Sequence, residues 1–530
     1  MKPRTNLLMF LALIVMLGLR AAAKAQDAGT ASCSGPNGDK FNLEPRADAL
    51  NQTARSVAIL LNGAGSGTDL VVGTAIDARG FAGTLESEDG FYIQRSNDNC
   101  AADSEGGLPA IATSVETFSP FGAPVVAADP VRNTFFVADL RLGSMNDSAV
   151  GVVRTTAANL LSTTACPSGT QTNSATCWPI GNVVNDVPIN FILFDPYVAV
   201  DPRANGAGTG AGDVYLLGTV QDNNNFPPTR SIFLAACANR QLSCCSSAIP
   251  SGSDTVADFP WVQVRPDGEI TVTYVNTKTF SSGGFFPFDI KFVTCTPHGA
   301  PKAPTCGTPT LVTTKRNPMT GTAPGDLLLT NGDRPFLPGD RTFPKHANRL
   351  ESDGKTVTTF IVYDRCEVPT IGSTLIGANF CPKTDVVITS STDGVNWSPI
   401  TSVTTSRAQQ FFGTVATDAS RGTVNIGYYS PQNDPLQQHL QLFLAQVAPG
   451  STAVGVPHLL TSTFADAQAQ SPILVSFDES FGDHLGLAAA GTGTAGQSHA
   501  YVSFTWNSVQ GTYVGTTNPD LNNHLTRLDY

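Results

Sequence analysis

The chain has 530 residues, only 14% of them charged, and a formal net charge of −12. That balance argues against nucleic acid or an anionic membrane surface as a partner. Gly (49) and Pro (36) are abundant, Val, Thr and Phe recur, and helical periodicity is nearly absent, which points to many short strands separated by turns.

The chain opens with Lys2 and Arg4 ahead of the apolar run Leu7–Leu19, then the small-x-small triplet Ala23-Lys24-Ala25. This reads as an export signal over residues 1–25, cleaved near Ala25. The run is about 13 residues, short of the roughly 20 that a membrane span needs. No second apolar stretch of spanning length follows, and no cysteine stands at the cut to carry a lipid anchor. The mature chain is therefore expected outside the cytoplasm with no membrane span, and more acidic than the precursor. Residues 26–55 read as an N-terminal extension and 56–530 as a single domain.

From there a unit recurs: an apolar strand, an Asp/Gly turn and a second apolar strand. The first copy, from Ser56, is "SVAILLNGAGSGTDLVVGTAID". It returns as "PVVAADPVRNTFFVADL" from Pro124, "PYVAVDPRANGAGTGAGDVYLLGTV" from Pro196 and "PWVQVRPDGEITVTYVN" from Pro260. "NRLESDGKTVTTFIVYD" from Asn348, "FGTVATDASRGTVNIGYYS" from Phe412 and "DHLGLAAAGTGTAGQSHAYVSFTW" from Asp483 follow. Alternation places every second side chain on one face, and Asp and Gly at the tips suit tight turns. A single hairpin cannot shield its apolar surface, but hairpins arranged radially can. The expected fold is all-β: a six- or seven-bladed β-propeller with long loop insertions, each copy forming the two inner strands of a four-stranded blade. A pair of β-sandwiches is the main competitor.

Eleven cysteines fit an oxidising compartment. Cys166/Cys177 and Cys295/Cys306 share one spacing, Cys366/Cys381 is similarly close, and Cys237 has Cys244 or Cys245 nearby. Cys33 and Cys100 could close a longer loop, and the odd total leaves one thiol over. Disulfides are favoured over zinc, because no Cys-x-x-Cys pair or His at ligand spacing is present. No cofactor is expected. "QDNNNFPP" (Gln221–Pro228) is rich in oxygen donors for Ca²⁺, but without EF-hand spacing it reads better as a polar loop. "GTGTAG" (Gly491–Gly496) leads into a strand rather than a helix, so it reads as a hairpin turn and not a dinucleotide site.

One stretch carries a family signal. "STDGVNW" holds Ser391, Asp393, Gly394 and Trp397 and resembles the Asp-box (BNR repeat) of bacterial secreted sialidase-like β-propellers, one residue shorter between Asp and Trp than the commonest form. "YIQRSNDNC" (Tyr92–Cys100) resembles a decayed copy. "DLVVGTAIDARG" and "FGDHLGLAAAG" resemble that family's first and closing blades. On physical grounds the turn is a structural clasp, with Asp393 collecting turn N–H groups and Trp397 burying its ring.

The resemblance implies an arginine triad for a substrate carboxylate and a Tyr nucleophile activated by a Glu. The family's Arg-Ile-Pro motif is absent, and "DAR" (Asp77, Ala78, Arg79) stands in the matching blade. Arg203, Arg349, Arg365 and Arg421 are available for a triad, but no Glu has a motif-defined partnership with Tyr428 or Tyr429. The catalytic set is therefore left open. Asp77, Arg79, Asp483 and Tyr428 are the candidate ligand-facing residues. The aromatic insertion Phe280–Phe288 could stack on sugars or pack on a blade. The favoured function is a module that binds a glycan or an extracellular protein. The alternative is an exo-sialidase-type glycoside hydrolase acting on acidic sugars.

Overall fold

The computed structural model describes residues 30–32, 41–42 and most of 51–530. Outside the described residues lie 1–29, 33–40, 43–50, 62–68, 80–85, 96–103, 278–287, 315–342, 367–383 and 467–484. So do the shorter stretches 146, 172–173, 189, 245–246, 436–438, 463, 495, 507–509, 514–515 and 520–521. The export signal, Cys33, Cys100, Cys381, Asp483 and most of the decayed turn after Tyr92 fall in these gaps.

Seven sheets, antiparallel except where Gly169–Gln171 adds parallel to Ser104–Gly107 at the edge of blade 1, form a seven-bladed β-propeller with almost no helix; Ala157–Leu161 is the one described helical turn. The inner strands, in chain order, are Asn51–Leu60, Thr117–Asp129, Phe191–Val200, Ala257–Val264, Lys345–Leu350, Phe411–Asp418 and Gly486–Gly491. Each pairs with the next strand in the chain: Leu70–Arg79, Thr134–Gly143, Val214–Asp222, Ile270–Thr277, Val357–Cys366, Thr423–Ser430 and Ser498–Trp506. These seven hairpins are the seven repeats read from the sequence. Blade number is thus seven, and Gly491–Gly496 is a hairpin turn. Closure uses both ends of the chain. Thr30–Ser32 and Phe41–Asn42, within the stretch expected as an extension, pair with the last strand, Asn522–Asp529, in blade 7.

Alternation makes both faces of a blade apolar, so each core lies between blades. Phe136, Val152, Leu216 and Val272 belong to one buried cluster spanning blades 2 to 4. Trp178 lies in the cluster between blades 1 and 2, and Trp506 in that between blades 6 and 7. Burying one such side chain is worth about 1.5–3 kcal/mol, so the ring is held mainly by these wedges.

Polar ties register the blades. The end at which inner strands begin is called upper here, and the end carrying the inner hairpin turns lower. At the lower end Asp129, Asp201 and Asp418 each accept the N–H two residues on, at 2.9–3.0 Å, which closes the turn. The turn arginines then reach forward one blade. Arg132 Nη2 donates to Arg203 O (3.0 Å), and Arg203 Nη1 to Asp267 O (2.7 Å). Arg349 donates to Ala448 O (3.1 Å) and Ser451 O (2.8 Å). The Arg421 guanidinium lies 5.9 Å from the Tyr530 ring of blade 7. Tyr501 Oη donates to Asp69 Oδ2 (3.1 Å) across the seam between blades 7 and 1.

The disulfides Cys166–Cys177, Cys237–Cys244 and Cys295–Cys306 are formed, and Cys244 rather than its neighbour is the partner of Cys237. All three clip outer segments. Cys295–Cys306, for example, joins the third strand of blade 4 to its outer edge.

Candidate functional site: the axis and upper end of the ring

All seven inner strands contribute to an axial channel of about 700 Å³. An inner strand is an edge strand with its ladder partner on one side, so its remaining backbone N–H and C=O groups need water or a ligand. Closing the ring turns seven such edges inward, away from other molecules. The channel wall is therefore backbone and small side chains, such as Ala127, Ala416 and Ala489.

The upper mouth is chemically richer. Several inner strands carry a bulge at the same level, with Ala123, Asp195, Phe259 and Phe412 at φ between 46° and 57°. Non-glycine residues seldom adopt this conformation, and bulges re-aim the side chains that follow. After the bulges come Tyr197 and Trp261, whose rings lie 5.0 Å apart on adjacent blades and line the channel. Trp261 Nε1 donates to His346 O at 2.9 Å. Lys345, only 2% exposed, sends its ammonium to the Leu485 carbonyl of blade 7 (3.1 Å) and lies 5.4 Å from the Trp261 ring of blade 4. One cation thus ties three blades beneath the mouth. Beside it, Arg230 pairs with the buried Asp258, whose other oxygen accepts the Phe259 N–H (3.0 Å). His346 is fully buried between the Thr271 and Thr273 hydroxyls, at 2.8 and 3.0 Å, and desolvation lowers its pKa to about 3, so it is neutral.

Of the residues singled out from sequence, Asp483 lies outside the described residues and the others fall at several places in the ring. Asp77 and Arg79 lie on the second strand of blade 1, where Arg79 pairs with Glu86 at the upper end; their side chains are outside the described residues. Tyr428 is buried on the second strand of blade 6, stacked on Phe443 at 5.7 Å. Burial pushes its phenol above the ordinary range, and Tyr429 likewise, the latter also hydrogen-bonded to the backbone of Thr505. Arg203, Arg349 and Arg421 belong to the lower-end ties, whereas Arg365 is at the upper end of its strand opposite Asp385. Tyr197, Trp261 and Lys345 were missed. Their signal was positional: Tyr197 and Trp261 follow the prolines that open their repeats (Pro196, Pro260), and Lys345 follows Pro344 just ahead of the copy from Asn348.

The turn at Ser391–Trp397 is a clasp. Asp393 accepts the N–H groups of Val395 (2.9 Å) and Asn396 (2.8 Å), the Asn396 amide (2.7 Å) and the Ser391 hydroxyl (3.0 Å). Those bonds hold its carboxyl well below the usual carboxylate range. Gly394, at φ 70°, presses on Phe292 of blade 4, and its carbonyl accepts the Thr310 hydroxyl at 2.6 Å. Trp397 meets Phe292 edge-on at 5.4 Å. The turn joins blade 5 to blade 4.

Two groups invite cations. In Gln221–Pro228, Asp222 is occupied by the Asn224 N–H and amide (both 2.8 Å) and the Asn225 amide (2.9 Å), so the segment is a self-tied polar loop. On blade 2, carboxylate oxygens of Glu116, Asp147 and Asp186 lie within 4.8 Å of one another. Burial and the other two carboxylates raise the Asp186 pKa.

No protein-family model matches the sequence, and no curated protein matches it. Among solved structures, a protein of unknown function from Dyadobacter fermentans aligns over 93% of this chain and 98% of its own, at TM-score 0.43 and 9% identity. A Penicillium chrysogenum α-L-arabinanase aligns over 81% and 99%, at 0.37 and 10%. An ulvan lyase of polysaccharide lyase family PL25 aligns over 90% and 94%, at 0.40 and 9%. These likenesses are distant, and the architecture of this chain is established by its own strand pairing: a propeller of seven blades, closed by strands from both termini.

Proposed function

We propose that this chain is an exported, non-catalytic binding propeller that engages a glycan or an extracellular protein at the upper end of the ring. The observation that carries the reading is how most of the arginines and tyrosines available for a sialidase-type site are used. Arg203 and Arg349 are bonded to neighbouring blades at the lower end. Tyr428 and Tyr429 are buried with their phenols pushed up, the reverse of what an activated nucleophile needs. Three disulfides support an oxidising, extracellular setting. No described helix is long and apolar enough to cross a membrane. The hydrogen bonding around Asp393 supports a distant sialidase-like ancestry in which the fold persisted and the chemistry did not.

The test is release of fluorophore from a fluorogenic sialoside by the purified mature chain. No turnover is expected, together with saturable binding on a glycan array or to an extracellular protein. Clear turnover that Arg79→Ala abolishes would establish the hydrolase instead.

A further inference from the structure

Large apolar side chains are exposed together at the upper end of blades 2 and 3. Val115 (75% exposed) sits in the turn before the inner strand of blade 2, Phe121 (53%) on that strand, and Leu142 and Met145 (55%) where the second strand ends. On blade 3, Ile192 and the fully exposed Phe226 stand at the same end. The remaining exposed large apolar residues among the described residues are spread over other blades and levels, as on ordinary surfaces.

The carboxylate group of blade 2 borders this surface directly. Glu116 follows Val115 in the chain, and its Oε2 accepts the Met145 N–H at 3.0 Å. Asp147 lies in the same connection as Met145, and Asp186 closes the group from the outer strand. Among the described residues no Lys, Arg or His pairs with any of the three. Burial, and then the two neighbouring carboxylates, raise the Asp186 carboxyl. A bare metal ion would answer the charge but leave the apolar surface uncovered. A neutral or acidic glycan would bring no cation. Only an occupant carrying both answers both features.

We propose that the upper face of blades 2 and 3 docks a basic, partly apolar peptide segment of a protein partner. A Lys or Arg of that segment enters the Glu116/Asp147/Asp186 group, and its aliphatic side chains cover Val115, Leu142 and Met145. The proposal rests on the reading of the chain as a binding module and names one partner chemistry for it. The overall charge of −12 adds long-range attraction for such a segment.

The test measures fluorescence anisotropy of a short labelled peptide of Lys, Leu and Ala against the full mature chain, with a Glu-for-Lys peptide as control. Saturable one-to-one binding of the Lys peptide alone is expected. The triple variant Glu116→Gln/Asp147→Asn/Asp186→Asn should weaken it about tenfold or more, and Val115→Ser/Met145→Ser by a similar factor. Glu116 also accepts the Met145 N–H and the Ser144 hydroxyl, so unchanged melting curves of each variant would verify folding. Equal affinity of both variants and the parent overturns the proposal. So does a stoichiometric Ca²⁺ titration lost in the triple variant without any peptide binding, which would make the group a metal site. Glycan binding that survives in both variants would sink this proposal while leaving the binding-module reading intact.

Discussion

Acid should unfold this ring in part through one histidine. His346 is fully buried between blades 4 and 5, bonded to the Thr271 and Thr273 hydroxyls with Phe292 edge-on at 6.0 Å, and desolvation keeps it neutral. Its pKa falls from 6.5 to about 3 on folding. A depressed histidine pKa means the unfolded chain takes up the proton first. The contribution is therefore whole above pH 6.5 and is lost as pH falls toward 3, at about 1.4 kcal/mol per pH unit. From neutral pH to 4.5 that amounts to roughly 2–3 kcal/mol, an appreciable part of the 5–15 kcal/mol typical of a domain. Carboxylates titrate in the same window, so the informative quantity is a difference. Urea unfolding of the parent and of His346→Gln would be compared from pH 7.5 to 4.5. The variant starts less stable, by about 1–3 kcal/mol for the disturbed buried hydrogen bonds, and lacks the titration. The gap should close as pH falls. A gap that stays constant across this range would refute the assignment of a buried neutral imidazole.

Three further outcomes follow from the blade ties. Arg349→Met removes both carbonyl bonds to blade 6 and the Glu351 partner from a side chain 2% exposed; a loss of about 2–4 kcal/mol in denaturant unfolding is expected. Gly394→Ala places a methyl 2.7 Å from the Phe292 ring at φ 70°, which should cost about 1–3 kcal/mol in a thermal melt, while the same change at the open Gly354 should register only its backbone cost. Cys166→Ala/Cys177→Ala opens a loop of sequence separation 11; about 2–3 kcal/mol should be lost, and reductant should then affect the variant less than the parent.

The repeat made the ring readable before any coordinates. Each inner strand alternates over a short stretch, ends in an Asp- or Gly-rich turn and returns, and that pattern is local, so seven hairpins could be counted from Ser56 to Trp506. The Cys166–Cys177 and Cys295–Cys306 clips were legible for the same reason, since partners eleven residues apart share one loop. So was the turn at Asp393, because an Asx turn closes on the next three residues.

What remained invisible involves partners distant in the chain. Arg349 reads as a free cation until blade 6 delivers Ala448 and Ser451 to it, about a hundred residues away. Tyr428 reads as a strand-end residue until Phe443 and the neighbouring blade enclose it. Glu116, Asp147 and Asp186 are unremarkable along the chain and become a charged group only when three strands of blade 2 align. Periodicity determines which residues form hairpins, because it acts between near neighbours. Which charges are spent on structure and which face outward is decided by ring closure, because only the assembled blades bring those groups within hydrogen-bonding reach.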